Sequence, residues 1–430
     1  MWFRRDLRLH DNAALYHALK HGTPIIPVFI FDKNILTDLE DKKDRRVEFI
    51  HTALTAMNEQ LKQHQASLQV WHSTPQHAFE QLLEKYTIEK VFANEDYEQY
   101  AIDRDDAIAN LLQQHHAQLL LYKDQVIFAK DEVLKDDGSP YTVFTPYSKR
   151  WLASLMPFHL KPYPTENYFH NFYKDASQEM PSLTSLGFEA SGKPFPPKEI
   201  PVDTIRGYDK TRNNPGIEGT SRMSVHLRFG TISIRELAAT AQQLNSTYLN
   251  ELIWRDFYQA ILWHFPHVRK GHAFRSEMEN IEWRNNEEEF KAWCTGETGY
   301  PIVDAGMRQL NTTGFMHNRV RMITASFLCK HLLIDWRWGE AYFAQKLLDY
   351  DYAANNGGWQ WSAGTGCDAM PYFRIFNPAA QAKKFDEDLK YIKQWVPELN
   401  SFDYPPPIVE HSFARERALQ VYKKAANSKR

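Results

Sequence analysis

The 430-residue sequence predicts an α/β domain with a doubly wound parallel sheet, followed by an all-α domain. Three observations carry that prediction. Short apolar runs alternate with charged helical stretches in the first third, Pro, Ser and Gly gather from about 126 to 200, and long helical periodicities dominate from about 204. The expected divisions are 1–125 for the α/β domain, 126–203 for a linker and 204–430 for the helical domain.

Taken in order, "MWFRRDLRL" is the expected first strand, with almost no lead-in, so that either the strand is short or the start given is late. "TPIIPVFIFD" (23–32), "LQVWHS" (68–73), "KVFANED" (90–96) and "QLLLYKD" (118–124) read as buried strands. Between them, "RRVEFIHTALTAMNEQLKQH" (45–64) has helical spacing, and such alternation implies a parallel sheet covered by helices on both faces. "PSLTSLGFEASGKPFPPKEIP" (181–201) has no periodicity and reads as a connector long enough to wrap over a domain surface. "SIRELAATAQQLN", "YLNELIWRDFYQAILWHF", "NRVRMITASFLCKHLLIDW" and "GEAYFAQKLLDYD" supply helices, and no internal repeat is present.

A net charge of −3 argues against bulk, non-specific nucleic-acid binding and leaves room for a local basic patch. Cys294, Cys329 and Cys367 lie far apart, so neither a disulfide framework nor a zinc site is expected, and a reducing cytosol is the default. Charged residues begin at Arg4 and no apolar run approaches the ~20 residues of a membrane span, so a soluble, cytoplasmic chain without a signal peptide is expected. Most of the 12 Trp follow position 250, which suits a Trp-rich helical core or a stacking site.

"GTGCDA" (364–369) matches a dinucleotide fingerprint in letters alone, because it follows "WQWSA" in the helical half instead of a strand. In "EGTSRMSVHLRFG" (218–230), Thr220, Ser221 and Ser224 precede a helical pattern, where hydroxyls cap a helix or hold an anion. In "ELIWRDFY" (251–258), Glu251, Trp254 and Arg255 share one helical face, either as an amphipathic boundary with an Arg–Glu pair or as a surface facing a ligand. "MHNRVRM" (316–322) places Asn318, Arg321 and Met322 on one face, with Arg319 turned partly away. "LLDYDYAANNGG" supplies Asp349 and Asp351, as an acidic turn or as partners for Arg321, and no third ligand follows at metal spacing. "NNGGWQWSAGTGCDAMPYFRIFNP" (355–378) combines glycine, flat rings and amides, and is expected as a loop lying against a ligand.

These motifs closely resemble the photolyase/cryptochrome flavoproteins, nearest to class I cyclobutane pyrimidine dimer photolyases. "WFRRDLRLHDN", "GTSRMS", "ELIWRDFY", "TGYPIVDAGMRQL", "MHNRVRM", "DWRWGEAYF", "NNGGWQW" and "PYFRIFNPAAQAKKFD" follow the family's order nearly end to end. The resemblance implies an N-terminal antenna-binding domain and a helical domain that buries FAD. It also implies light-driven splitting of a flipped-out dimer in UV-damaged DNA by a deoxyribodipyrimidine photo-lyase. A monomer is implied, nucleoid-associated during repair, with no membrane and no metal.

By position, the resemblance assigns Tyr208, Thr220, Ser221, Arg222, Met223 and Ser224 to the FAD diphosphate and its surroundings. Arg255, Asn318, Arg321, Asp349, Asp351 and Asn355 would surround the isoalloxazine and its linker, with Asn355 facing flavin N5. Glu251 would hydrogen-bond the dimer, Met322 would line its pocket, and Trp254 and Trp361 would stack on it. Met322 marks the cyclobutane subclass, since the (6-4) enzymes carry a His-rich segment there and the DASH group Gln. Arg212, Arg319 and Arg374, with Asn318, would meet DNA, and Trp359, Trp336 and Trp283 would relay electrons. A folate, deazaflavin or flavin antenna would lie near "NEDYEQY" (94–100). The alternative the resemblance carries is a cryptochrome-type photoreceptor without repair activity.

Overall fold

The computed structural model describes residues 1–427. Two compact units form: Met1–Ala129 with Leu155–Ile200 and Arg222–Thr240, and Lys130–Ser154 with Pro201–Ser221 and the chain from Ala241 onward.

The first unit holds β1 (Trp2–Phe3), β2 (Val28–Asp32), β3 (Gln69–Ser73), β4 (Lys90–Asn94) and β5 (Gln118–Tyr122). Every pairing is parallel, with Trp2 opposite Val28, Val28 opposite Gln69 and Lys90 opposite Gln118. The strands form two sheets, β1-β2-β3 and β4-β5, and β1 packs beside β4. Each strand is shorter than its apolar run. β2 begins only at Val28, since Pro24 and Pro27 cannot donate to a ladder.

Helices of eight or more residues in this region are α1 (Ala13–Lys20), α2 (Arg45–Gln63), α3 (Pro75–Lys85) and α4 (Gln99–Gln114). Asn12 caps α1 by accepting the Leu15 N–H at 3.1 Å, Asp44 caps α2, and Thr74 with Pro75 starts α3. Trp2, Ile30, Phe79, Leu82, Val91 and Ile108 share one core, with the Trp2 ring edge-on to Phe79 at 5.0 Å. The charged letters of "WFRRDLRLHDN" are spent inside this unit. Arg8 pairs with Asp124 at 2.6 Å, Arg235 reaches Asp11 at 2.8 Å and Asp124 at 2.7 Å, and Asn94 donates to Asp6 at 2.6 Å.

The remaining long helices are α5 (Phe144–Ser154), α6 (Ile234–Leu244), α7 (Ser246–His264), α8 (Glu287–Thr295), α9 (Pro301–Thr313), α10 (Asn318–Ser326), α11 (Trp336–Lys346), α12 (Tyr352–Ala363), α13 (Pro378–Phe385) and α14 (His411–Asn427). Helix α5 lies within the stretch read as non-periodic. Pro146 masks its signal, yet Tyr147 and Trp151 are buried one turn apart and Trp151 Nε1 donates to Asp256 at 2.9 Å.

The helix expected over "NRVRMITASFLCKHLLIDW" breaks, because α10 ends at Ser326 and a π-helical turn covers Phe327–His331. Residues 355–363, expected as the first part of a loop, lie in helix α12. The Asp351 side chain accepts the Ala354 N–H at 3.2 Å to start α12, and Gly364, at φ 83°, ends it. Two glycines cost such a helix about 1 kcal/mol each, but Gly357 admits Tyr258, whose ring a Cβ would meet at 2.3 Å. Trp293, Trp336 and Trp359 lie in one core of the second unit. Among the described residues no helix is long and apolar enough to cross a membrane.

Candidate functional site

Helix α7 starts at Asn245, whose side chain accepts the Tyr248 N–H at 3.1 Å. Leu252, Ile253 and Phe257 are buried, which leaves Glu251, Trp254 and Arg255 half-buried on the other face, as the spacing predicts. The ion pair of Glu251 is with Arg212, at 2.7 Å. Burial raises the Glu251 carboxyl above its ordinary range, and Arg212 opposes that shift. The Arg212 guanidinium lies 5.3 Å from the Tyr208 ring centre, and Tyr208 meets Tyr248 edge-on at 5.0 Å. Tyr248 OH and Ser221 Oγ are 2.8 Å apart, and burial pushes the phenol up to about 12. Trp254 stacks on Phe144 at 3.7 Å with an interplanar angle of 5°, so protein covers one of its faces.

"GTSRMS", read as a hydroxyl cap or an anion site, places a methionine at the start of the helix that follows. Met223 occupies the cap position of a short helix, Ser224–Phe229, without a side-chain bond, and Ser221 turns to Tyr248 instead. Thr220 is half-buried, and Arg222 takes a left-handed φ of 53°.

Helix α10 brings a second group. His317 Nδ1 accepts the Arg319 N–H at 3.2 Å, Asn318 is exposed, and Arg321 and Met322 are half-buried. Arg321 Nη2 reaches both oxygens of Asp349, at 3.1 and 3.0 Å, and its Nε donates to the Met316 carbonyl at 2.8 Å. Arg319 Nη2 donates to Asn213 at 2.6 Å, and its guanidinium lies 4.4 Å from the Phe385 ring centre. Burial, then the charge of Arg212, lowers the pKa of Arg319. Two guanidiniums that feel one another in this way favour an anion beside them. Met322 Sδ lies 3.6 Å from Arg319 Nη1.

Asp351, which caps α12, and Asn355 and Trp359 within it follow one another at successive turns, all buried. Asn355 Nδ2 donates to the Glu340 carbonyl at 3.1 Å and to Glu340 Oε1 at 3.0 Å. Burial raises the Glu340 carboxyl to about 7, against the Asn355 hydrogen bond. Gln259 Nε2 donates to Asp351 at 3.3 Å. Gln259 Oε1 and Trp359 Nε1 are buried without a hydrogen-bond partner, and nothing lies within 4 Å of where a Gly358 Cβ would stand. Buried polar atoms left unsatisfied on packed helices are the kind of group that a polar cofactor would satisfy. Glu340 and Gln259 escaped the sequence reading, since only the fold brings them to Asn355 and Asp351.

Trp359 contacts Phe343 at 5.0 Å and Trp293 at 6.0 Å. Trp336 is buried in the same core, and Trp283 packs against it, edge-on to Tyr422 at 6.0 Å. Trp361 is half-buried and Arg374 exposed. Among the described residues no group of three or more His, Cys, Asp or Glu can hold a metal ion.

Two family models match the chain: DNA photolyase over residues 1–167, and FAD binding domain of DNA photolyase over 248–403. The sequence is 39% identical to a deoxyribodipyrimidine photo-lyase of Synechococcus sp., with 98% of this chain and 95% of that protein covered. A bacterial class III photolyase from Agrobacterium tumefaciens superimposes with a TM-score of 0.86 at 32% identity, over 99% of this chain and 97% of that one. An archaeal photolyase from Sulfolobus tokodaii, solved with two FAD molecules, gives 0.84 at 34% identity over 98% and 99%.

Proposed function

The chain belongs to the DNA photolyase family, and we propose that it splits cyclobutane pyrimidine dimers in DNA under blue or near-ultraviolet light. The enzyme is a carbon–carbon lyase in this reading: both cyclobutane bonds joining the pyrimidines break, with no net oxidation or reduction. FAD, when bound in its reduced anionic form, supplies the light-driven electron and takes it back. Tyr208, Thr220 and Ser221 would hold its diphosphate region. Arg255, Asn318, Arg321, Asp349, Asp351 and Asn355 would surround the ring system and its linker. An antenna chromophore in the first unit belongs to the same reading. The protein would act as a monomer in the cytoplasm, at the nucleoid during repair.

The observation that carries the proposal is the Glu251–Arg212 pair, with Met322 in place of a histidine. Arg212 fixes the Glu251 carboxyl, and partial desolvation strengthens the hydrogen bond it offers an extruded base. Met322 adds soft apolar contact and no general acid. Trp361 and Trp254, both half-buried, would offer stacking surfaces, and Arg319 and Arg374 would offer charge to phosphates. Dark binding tests this assembly. A duplex with one cyclobutane thymine dimer should bind at least tenfold more tightly than the undamaged duplex, and Glu251→Ala should reduce that preference. Equal affinity for both duplexes would contradict the assignment.

A further inference from the structure

Two guanidiniums of the second unit are held in the same way. Arg212 lies 5.3 Å from the Tyr208 ring centre and ends on Glu251 Oε1 at 2.7 Å. Arg319 lies 4.4 Å from the Phe385 ring centre and ends on Asn213 Oδ1, which accepts from Nη2 at 2.6 Å and from Nε at 3.2 Å. Each planar cation thus rests on an aromatic ring and is oriented by one side chain. The two differ in the charge of that side chain, a carboxylate for Arg212 and an amide for Arg319.

The other groups around Arg319 are neutral or positive. Its Nη1 lies 3.6 Å from Met322 Sδ, and Lys384 Nζ shares the Phe385 ring at 5.3 Å from the centre. Burial and the charge of Arg212 both lower the Arg319 pKa, and among the described residues no acid opposes them. Asp386, the carboxylate beside Gly216, is occupied by the Tyr391 and Ile392 N–H groups at 3.0 and 2.9 Å. The segment that carries Arg212 and Asn213 is fixed locally. It follows the short helix Tyr208–Thr211, Asn214 Oδ1 accepts the Gly216 N–H at 2.9 Å, and Thr211 Oγ1 donates to the Gly219 carbonyl at 3.0 Å. Gly219 permits this closure, because a Cβ there would meet the Thr211 Cβ at 2.7 Å.

We propose that Asn213 is a positioning residue for DNA binding, which aims Arg319 at a backbone phosphate as an uncompensated cation while Arg212, neutralised by Glu251, serves the lesion. The inference rests on the repair reading above and divides two of its arginines by task. An amide oxygen that takes the Nε and Nη2 edge leaves the Nη1–Nη2 edge to a phosphate, which accepts two parallel N–H bonds. A carboxylate at position 213 would hold the same edge and cancel the charge. Phosphate contacts add affinity for any duplex, whereas contacts to the bases discriminate. Asn213 therefore matters alike for damaged and undamaged DNA, and the Glu251–Arg212 pair for the difference between them.

Salt titrations of dark binding test this, with the flavin-loaded full chain, an undamaged duplex and a duplex holding one cyclobutane thymine dimer. Asn213→Asp, which keeps the shape of the side chain, should behave like Arg319→Ala: the slope of log affinity against log salt falls by about 0.9 for both duplexes. Asn213→Ala should keep the slope and lose affinity for both duplexes alike. Asn214→Asp adds the same charge one position away, on a side chain that meets the Gly216 N–H, and should leave the slope unchanged. An unchanged slope in Asn213→Asp beside a reduced one in Arg319→Ala would overturn the role of Asn213 and leave the repair reading standing. An equal reduction by Asn214→Asp would also overturn it, since any added charge would then suffice. An unchanged slope in Arg319→Ala would overturn it together with the place of Arg319 at the DNA.

Discussion

Asn355 Nδ2 and Glu340 Oε1 lie 3.0 Å apart, so the amide at the centre of α12 is held by a carboxyl group of α11. The bond fixes which end of the Asn355 amide faces its other neighbours, and it puts the Glu340 carboxyl in direct contact with that amide.

Glu340 should make stability depend on pH. Its folded pKa, about 7, exceeds the ordinary value of 4.5, so the folded chain keeps a proton that the unfolded chain releases between these values. The contribution is full below about 4.5 and is lost as pH rises through 7. Glu340→Gln should flatten this slope, with a difference on the order of 1 kcal/mol or more between pH 5 and pH 8. Urea unfolding at three pH values measures it, and parallel slopes in both proteins would contradict it.

Lys330 should act with the opposite sign. Its Nζ donates to the Ala363 carbonyl at 2.9 Å, at the end of α12, and sits 3.4 Å from the Tyr422 ring centre. Burial lowers its pKa from 10.5 to about 7. The unfolded chain then binds the extra proton, so this contribution to stability rises with pH from 7 toward 10.5. Lys330→Met should remove that rise, as thermal melts at pH 7 and pH 9.5 would register.

Glu251→Ala should slow light-driven repair about tenfold or more, because a hydrogen bond to a charged group contributes roughly 1.5–3 kcal/mol. Arg212→Ala should slow repair and also raise the Glu251 pKa further, since Arg212 is the group that lowers it. A repair–pH profile displaced upward in Arg212→Ala checks the second effect.

Arg374 is exposed, and its expected partner is a phosphate. Arg374→Ala should weaken binding to damaged and undamaged duplexes alike and reduce the slope of log affinity against log salt by about 0.9. A salt titration by fluorescence anisotropy reads this, and an unchanged slope would remove Arg374 from the interface.

The sequence made the strands and most long helices legible, because burial imposes period 2 or 3.6 on apolar residues. It misled where one residue type had two uses. Pro146 sits in the first turn of α5, where proline is tolerated, but it looks like a breaker. Gly357 and Gly358 look like loop residues, although Gly357 makes room for the Tyr258 ring within a helix. The Glu251, Trp254 and Arg255 face was legible from spacing, whereas the pairing of Glu251 with Arg212 was not, since 39 positions separate them and only the fold brings them together. Glu340 gave no local signal for the same reason.

The decisive measurement uses photoreduced protein and two duplexes, one with a cyclobutane thymine dimer and one with a (6-4) lesion. Recovery of absorbance at 260 nm is followed under blue light against a dark control. Light-dependent recovery of the cyclobutane duplex alone is the predicted result. Recovery of neither duplex by protein that holds reducible FAD would contradict a repair function, and recovery of the (6-4) duplex would contradict the role given to Met322.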